Sequence, residues 1–211
     1  MSKVLYFEGI DDVFFAPMIS PDAPNVKPVY DEENIERLPI GVKLAVKGNG
    51  SEKTKYASSK VFRRVSKETE HELGLDHVGM PIDLLDKLKG LVPVKGVVFN
   101  RAKAKEMPYF GFGFIGRIEG GERMAVWYPR VQLTVATDLE YETATDDDEI
   151  KDVGLAMVAS PLLYNEVLNA AYDSTRKGDD MITLDQFIET VVYEEEQLTA
   201  VNTEEVGEQV G

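Results

Sequence analysis

Residues 109–136 read YFGFGFIGRIEGGERMAVWYPRVQLTVA, and the periodicity of this stretch decides the fold class. Gly111, Gly113 and Gly116 form a literal G-x-G-x-x-G. Such glycines cradle a pyrophosphate only where they follow a strand and open a helix. Here Phe110, Phe112, Phe114 and Ile118 fall on one parity with glycines between them, and no helical period follows. Glu119-Gly120-Gly121-Glu122 then supplies a turn, after which Met124, Val126 and Tyr128 alternate with Ala125 and Trp127. The stretch therefore reads as an antiparallel β-hairpin, aromatic on one face and nearly bare on the other.

Strand signals continue on both sides of it. Residues 2–16 alternate through Val4, Tyr6, Val13 and Phe15, with a turn expected near Gly9. Residues 39–46, 61–65, 69–77, 92–100, 131–136 and 153–159 each read as strands. Residues 17–28 hold four prolines and read as an extended loop. Residues 47–56, with Gly48 and Gly50 set among charges, read as a mobile loop. Residues 81–89 predict a short helix: Pro81 suits the first turn, Asp83 its positive end, and Lys87 and Lys89 its negative end. Ile82, Leu85 and Leu88 are expected on its buried face, and Gly90 stops it. Thr183 and Gln186 form a capping box that opens a second short helix, with Phe187, Ile188, Val191 and Val192 inward. Residues 162–174 fit a helix or a strand. The expectation is one mainly-β domain over residues 1–198 with one or two short helices, and a disordered acidic tail over 199–211.

At 211 residues and 43% hydrophobic composition, the chain can bury a core. No apolar run is long enough to read as a membrane helix, and an N-terminus interrupted by Glu8, Asp11 and Asp12 does not read as a signal peptide. The absence of cysteine excludes disulfides, thiolate metal sites and thiol nucleophiles, and suits a reducing compartment. A net charge of −15 argues against gripping nucleic acid through its phosphates. The charges are also segregated. Residues 42–67 carry eight bases against Glu52 alone, and residues 138–152 carry eight acids against Lys151 alone. After Lys177 come ten acids and no base. Segregation of this kind is either a set of solvated faces or a device for head-to-tail self-association.

Candidate chemistry is sparse. His71-Glu72 begins like a zinc-protease helix, but four residues separate Glu72 from His77 and the i, i+4 histidine pair is absent. His71 and His77 share parity with Leu73 and Leu75 on an expected strand, and they read as structural histidines, packed or exposed, rather than ligands. Residues 173–184 resemble a calcium loop, yet Lys177 occupies the fifth ligand position and Leu184 the twelfth. Asp146, Asp147, Asp148 and Glu149 read as a solvated loop rather than a cation site. No carboxylate pair stands out for general acid–base work, so no catalytic, metal or cofactor site is expected.

The order of these features resembles the major tail tube proteins of long-tailed bacteriophages, particularly those of Gram-positive hosts. The resemblance is carried by Thr54-Lys55-Tyr56-Ala57, by Gly79-Met80-Pro81-Ile82-Asp83-Leu84-Leu85, and by Tyr109-Phe110-Gly111-Phe112-Gly113-Phe114. It continues through Arg123-Met124-Ala125-Val126-Trp127-Tyr128-Pro129-Arg130, Tyr141-Glu142-Thr143-Ala144-Thr145-Asp146 and Thr183-Leu184-Asp185-Gln186-Phe187-Ile188-Glu189. It implies two packed β-sheets or a barrel-like sandwich with a flanking helix. It also implies a non-enzymatic virion protein without cofactors, made in the host cytoplasm and assembled into hexameric rings. The rings stack into a hollow tube with an acidic lumen, through which viral DNA passes without specific binding. The partners it implies are other copies, the tail-tip initiator, the tape measure and the tail terminator. On this reading Lys47, Lys53, Lys55 and Lys60 of one ring meet Glu140, Glu142, Asp146, Asp147, Asp148 and Glu149 of the next. Competing expectations are a tube protein of a contractile apparatus, a small-molecule-binding β-sandwich walled by the aromatic hairpin, and an enzyme working through carboxylates.

Overall fold

The aromatic hairpin sits at the centre of one curled antiparallel sheet. The computed structural model describes residues 6–57, 60–99, 101, 106–134, 152–176, 178 and 180–198. In chain order they form β1 (Phe7–Ser20), β2 (Val29–Tyr30), a 3-10 turn (Glu32–Asn34), β3 (Glu36–Leu38), β4 (Gly41–Ala57) and β5 (Lys60–His77). Then follow α1 (Ile82–Leu88), β6 (Phe110–Ile118), β7 (Glu122–Leu133), β8 (Val153–Ala159), β9 (Ala170–Asp173) and α2 (Leu184–Glu189). The strand order is β2-β1-β6-β7-β8-β5-β4, with β3 added to β1 and β9 added to β7. The sheet bends until its far ends meet: a Cβ on Gly41 of β4 would lie 2.9 Å from Ile10 Cδ1 of β1. The mainly-β expectation therefore holds in its barrel-like form. The strands belong to one connected sheet rather than two.

Period-two alternation divides this sheet into two cores. On one side Phe110, Phe112 and Phe114 pack with Val13, Phe15, Leu73, Leu75, Val131 and Met157, and α1 contributes Leu84 and Leu88. On the other side Phe14, Ile115 and Trp127 pack beneath Phe187, Val191 and Val192. Gly111 and Gly113 of the G-x-G-x-x-G belong to this second face, whereas Gly116 lies on the other, against Phe7 and Met124. A Cβ on Gly113 would come within 2.7 Å of Phe14 Cδ2 and 2.9 Å of Trp127 Cε3. The face that looks bare in sequence is thus filled from across the sheet by larger neighbours. Phe110 and Phe112 are 1% and 0% exposed, so the aromatic row is core packing and not the wall of an open pocket.

The second helix follows its sequence closely. Gln186 N donates to Thr183 Oγ1 at 3.2 Å, and Thr183 N donates to Gln186 Oε1 at 2.8 Å, completing the capping box. Other expectations change. β1 runs unbroken through Pro17 to Ser20, absorbing the turn near Gly9 as register shifts and shortening the proline-rich loop. In α1 the buried residues are Leu84 and Leu88, whereas Ile82 is exposed. Residues 131–136 are not a separate strand, because β7 continues through Val131 to Leu133. Within 162–174 the strand alternative holds for β9, preceded by a turn in which Glu166 has φ 59. The expected strand at 92–100 is absent. Only Val94 and Val97 pair there, and they pair with each other. The expected mobile loop at 47–56 is instead regular β4.

Candidate assembly interface

β4 and β5 are far longer than the sheet that holds them. β5 pairs with β8 only from His71↔Ala159 to His77↔Val153. Beyond His71 it pairs with β4 alone, over nine registered pairs from Asn49↔Glu70 to Ala57↔Lys60. At about 3.3 Å per residue this two-stranded arm reaches roughly 25–30 Å past the sheet. Register shifts between Asn49 and Gly50 and between Lys55 and Tyr56 interrupt the ladder, and such bulges increase local twist.

Neither face of the arm near its root has a core to cover, which explains its composition. Ser51, Glu52, Lys55 and residues 64–69 are all exposed. Residues 49–70 carry six bases and three acids, net +3, which leaves −18 on the remainder of a chain whose total is −15. The register sets Lys55 opposite Arg63, and directly opposed like charges weaken a ladder. An anionic partner would relieve that repulsion.

The root is fixed by polar pairs. Lys47 Nζ lies 3.0 Å from Glu72 Oε2, and Asn49 Nδ2 donates to Glu72 Oε1 at 3.0 Å. The Asn49 hydrogen bond, followed by Lys47, holds the Glu72 carboxyl below the ordinary carboxylate range. Thr69 Oγ1 donates to Asn49 O at 3.1 Å. Further out, Arg64 Nε is 2.7 Å from Glu52 Oε1. Lys67 reaches across to Glu166 at 3.6 Å, closing one side of a cleft of about 540 Å3 that Arg130 and Leu162 also line. The loop bearing Glu166 is anchored by buried Asp22, whose Oδ2 accepts from the backbone amides of Leu163 and Tyr164. Asp22 Oδ1 faces Arg130 Nε at 3.1 Å as an ion pair rather than an aligned hydrogen bond.

Of the basic residues expected at an interface, Lys47 lies at the arm root and is already paired, while Lys53, Lys55 and Lys60 lie along the arm. Glu140, Glu142, Asp146, Asp147, Asp148 and Glu149 fall outside the described residues. The residues flanking that acidic segment are described. Thr134 N donates to Ala156 O at 3.0 Å, and Asp152 immediately precedes Val153, the partner of His77. Asp152 therefore lies at the His77 end of β5 and Thr134 level with Gly74, midway along its pairing with β8, whereas the arm leaves at the His71 end. Of the two described flanks, Asp152 is at the end of the sheet opposite the basic arm.

Of the two structural readings left open, packed or exposed, both histidines take the packed one. His71 Nδ1 is 3.2 Å from Tyr128 Oη. Burial pushes the Tyr128 phenol up to about 12. His77 is 4% exposed, and burial, opposed by the Gly79 backbone and by Asp76 and Asp152, lowers its pKa. A depressed folded-state value means the unfolded chain takes the proton first. Stability is then complete above the ordinary histidine range near 6.5 and declines as pH falls through the folded value. The unfolding midpoint should accordingly drop between pH 7 and pH 5.5, and His77→Gln should flatten that slope. Equal slopes for the two proteins would discard the assignment.

Among the described residues no group of three or more His, Asp or Glu is placed to hold a metal, and no helix is long and apolar enough to cross a membrane. No protein-family model matches the sequence, and no curated protein matches it either.

Proposed function

We propose that this chain is a structural subunit that polymerises head to tail, its rings stacking into a tube of the kind built by bacteriophage major tail tube proteins. The observation that carries this reading is a basic arm of net +3 that leaves the sheet at the His71 end, on a chain whose remaining residues sum to −18. A contact between unlike surfaces that is not reciprocated within a pair propagates, giving a ring or a filament. The arm supports the same reading, since a 17-residue β4 and an 18-residue β5 extend well past the strand that anchors them. A monomer gains little from an extension of this length, because a two-stranded ribbon without a core is marginal in water. A net charge of −15 suits a conduit that repels DNA phosphates rather than holding them. Six-fold ring number, the virion location and the tail-tip, tape-measure and terminator partners come with the resemblance.

Electron microscopy of concentrated protein, alone and with tail-tip complexes added as seeds, tests the proposal. Hollow tubes or stacked rings are the expected product. Monomers that persist at high concentration and in the presence of seeds would overturn it.

A further inference from the structure

Residues 92–99 make a second exposed feature, and its chemistry is opposite to that of the arm. Val94 N donates to Val97 O at 2.9 Å and Val97 N to Val94 O at 3.1 Å. Lys95 and Gly96 between them have φ 53 and 79, the backbone of a two-residue hairpin turn. Opposed residues in a hairpin share a face, and the next positions on that face are Val92 and Phe99. All four point away from the protein: Val92 is 81% exposed, Val94 57%, Val97 50% and Phe99 68%. Leu91 and Val98, on the other parity, are half-buried. This small hairpin therefore turns its apolar face outward, the reverse of what a sheet does when it packs against its own chain.

Charge identifies the occupant. Lys95 in the turn and Arg101 just beyond it are exposed cations, and residues 90–101 contain no acid, which leaves −17 on the rest of a chain of net −15. An apolar face on a segment whose exposed charges are cations fits an acidic protein partner, and another copy of this chain is such a partner. An anionic lipid surface would be repelled by the same net charge.

We propose that the Val92, Val94, Val97 and Phe99 face is a contact between copies, separate from the arm and driven by burial rather than by charge. This rests on the self-assembly reading and adds a second surface to it. The test compares wild type with a Val92→Ser/Val94→Ser/Phe99→Ser variant and with Lys95→Glu, by sedimentation and electron microscopy at low and high salt. Because these side chains are exposed, unfolding midpoints should stay within about 1 °C of wild type. The concentration needed for assembly should rise at least tenfold in the triple variant and by less in Lys95→Glu. High salt should not abolish what this face contributes in the wild type, since apolar burial is not screened. A wild type that polymerises beside an equally competent triple variant overturns this proposal alone. A wild type that never self-associates overturns the assembly reading and this contact together. Capture of the wild type on anionic vesicles, lost in the triple variant while self-association is unchanged, reassigns the face to a lipid surface.

Discussion

Trp127→Ala should lower the unfolding free energy by about 3–5 kcal/mol, the range for deleting a large buried aromatic. In a chain of this size that is a fall of roughly 6–20 °C in the thermal midpoint. Trp127 is 0% exposed and packs against Phe14 at a ring-centroid distance of 5.4 Å. Gly113 lacks the Cβ that would collide with both. Cavity formation supplies part of the loss, because Phe14 and Ile115 belong to strands and cannot collapse far into the space. A hydrogen bond supplies another part: Trp127 Nε1 donates to Phe187 O at 3.0 Å, tying α2 to the sheet. Trp127→Phe separates the two contributions, since it keeps most of the volume and drops the donor. Its cost should be smaller, with about 1 kcal/mol assignable to the lost bond, and amide exchange should rise first in α2. A Trp127→Ala midpoint equal to wild type would mean that the second core does not form around this residue.

That core was legible from the sequence because it depends on alternation. Phe110, Phe112 and Phe114 against Gly111 and Gly113 mark a strand whatever surrounds them. The parity of His71 and His77 with Leu73 and Leu75 marks them as structural without settling their burial, and the Thr183–Gln186 box predicts α2 because its bonds are local. What alternation could not reveal is where a pattern finds its partner. Residues 47–56 look like a loop since Gly48, Gly50 and a run of charges show no apolar face, yet they form a strand, none of whose described side chains over that span is buried. Residues 92–100 look like a strand because Val92, Val94, Val97, Val98 and Phe99 are β-branched or aromatic, yet no strand of the described residues pairs with them. The two errors are complementary. One segment has backbone pairing without an apolar side, and the other has an apolar side without pairing. Local rules fail where a chain is shaped for something outside itself, and both segments stand at the surfaces assigned here to neighbouring copies. The acidic residues expected to receive the arm lie outside the described residues, so only their flanking positions bear on the pairing.

Lys53→Glu/Lys55→Glu/Lys60→Glu should fold as wild type and fail to polymerise. These positions lie on an arm without a core of its own, so the unfolding midpoint should move by no more than about 1–2 °C. Assembly responds differently. The substitution takes residues 49–70 from six bases and three acids to three bases and six acids. An interface that paired unlike charges would then oppose like ones, a change on the order of several kcal/mol. With about 1.4 kcal/mol per factor of ten, the assembly threshold should rise by two orders of magnitude or more. Wild-type assembly should also weaken as salt shortens the screening length, most steeply between roughly 50 and 300 mM. Loss of assembly alone would not distinguish charge from shape. The reciprocal variant Asp146→Lys/Asp147→Lys/Asp148→Lys makes that distinction: each variant should be inert by itself, while a mixture of the two in alternation regains the unlike pairing at every contact. Mixed assemblies seen only on mixing would identify the acidic segment as the seat of the arm. Tubes formed by the lysine-to-glutamate variant alone would rule out charge as the force that docks it.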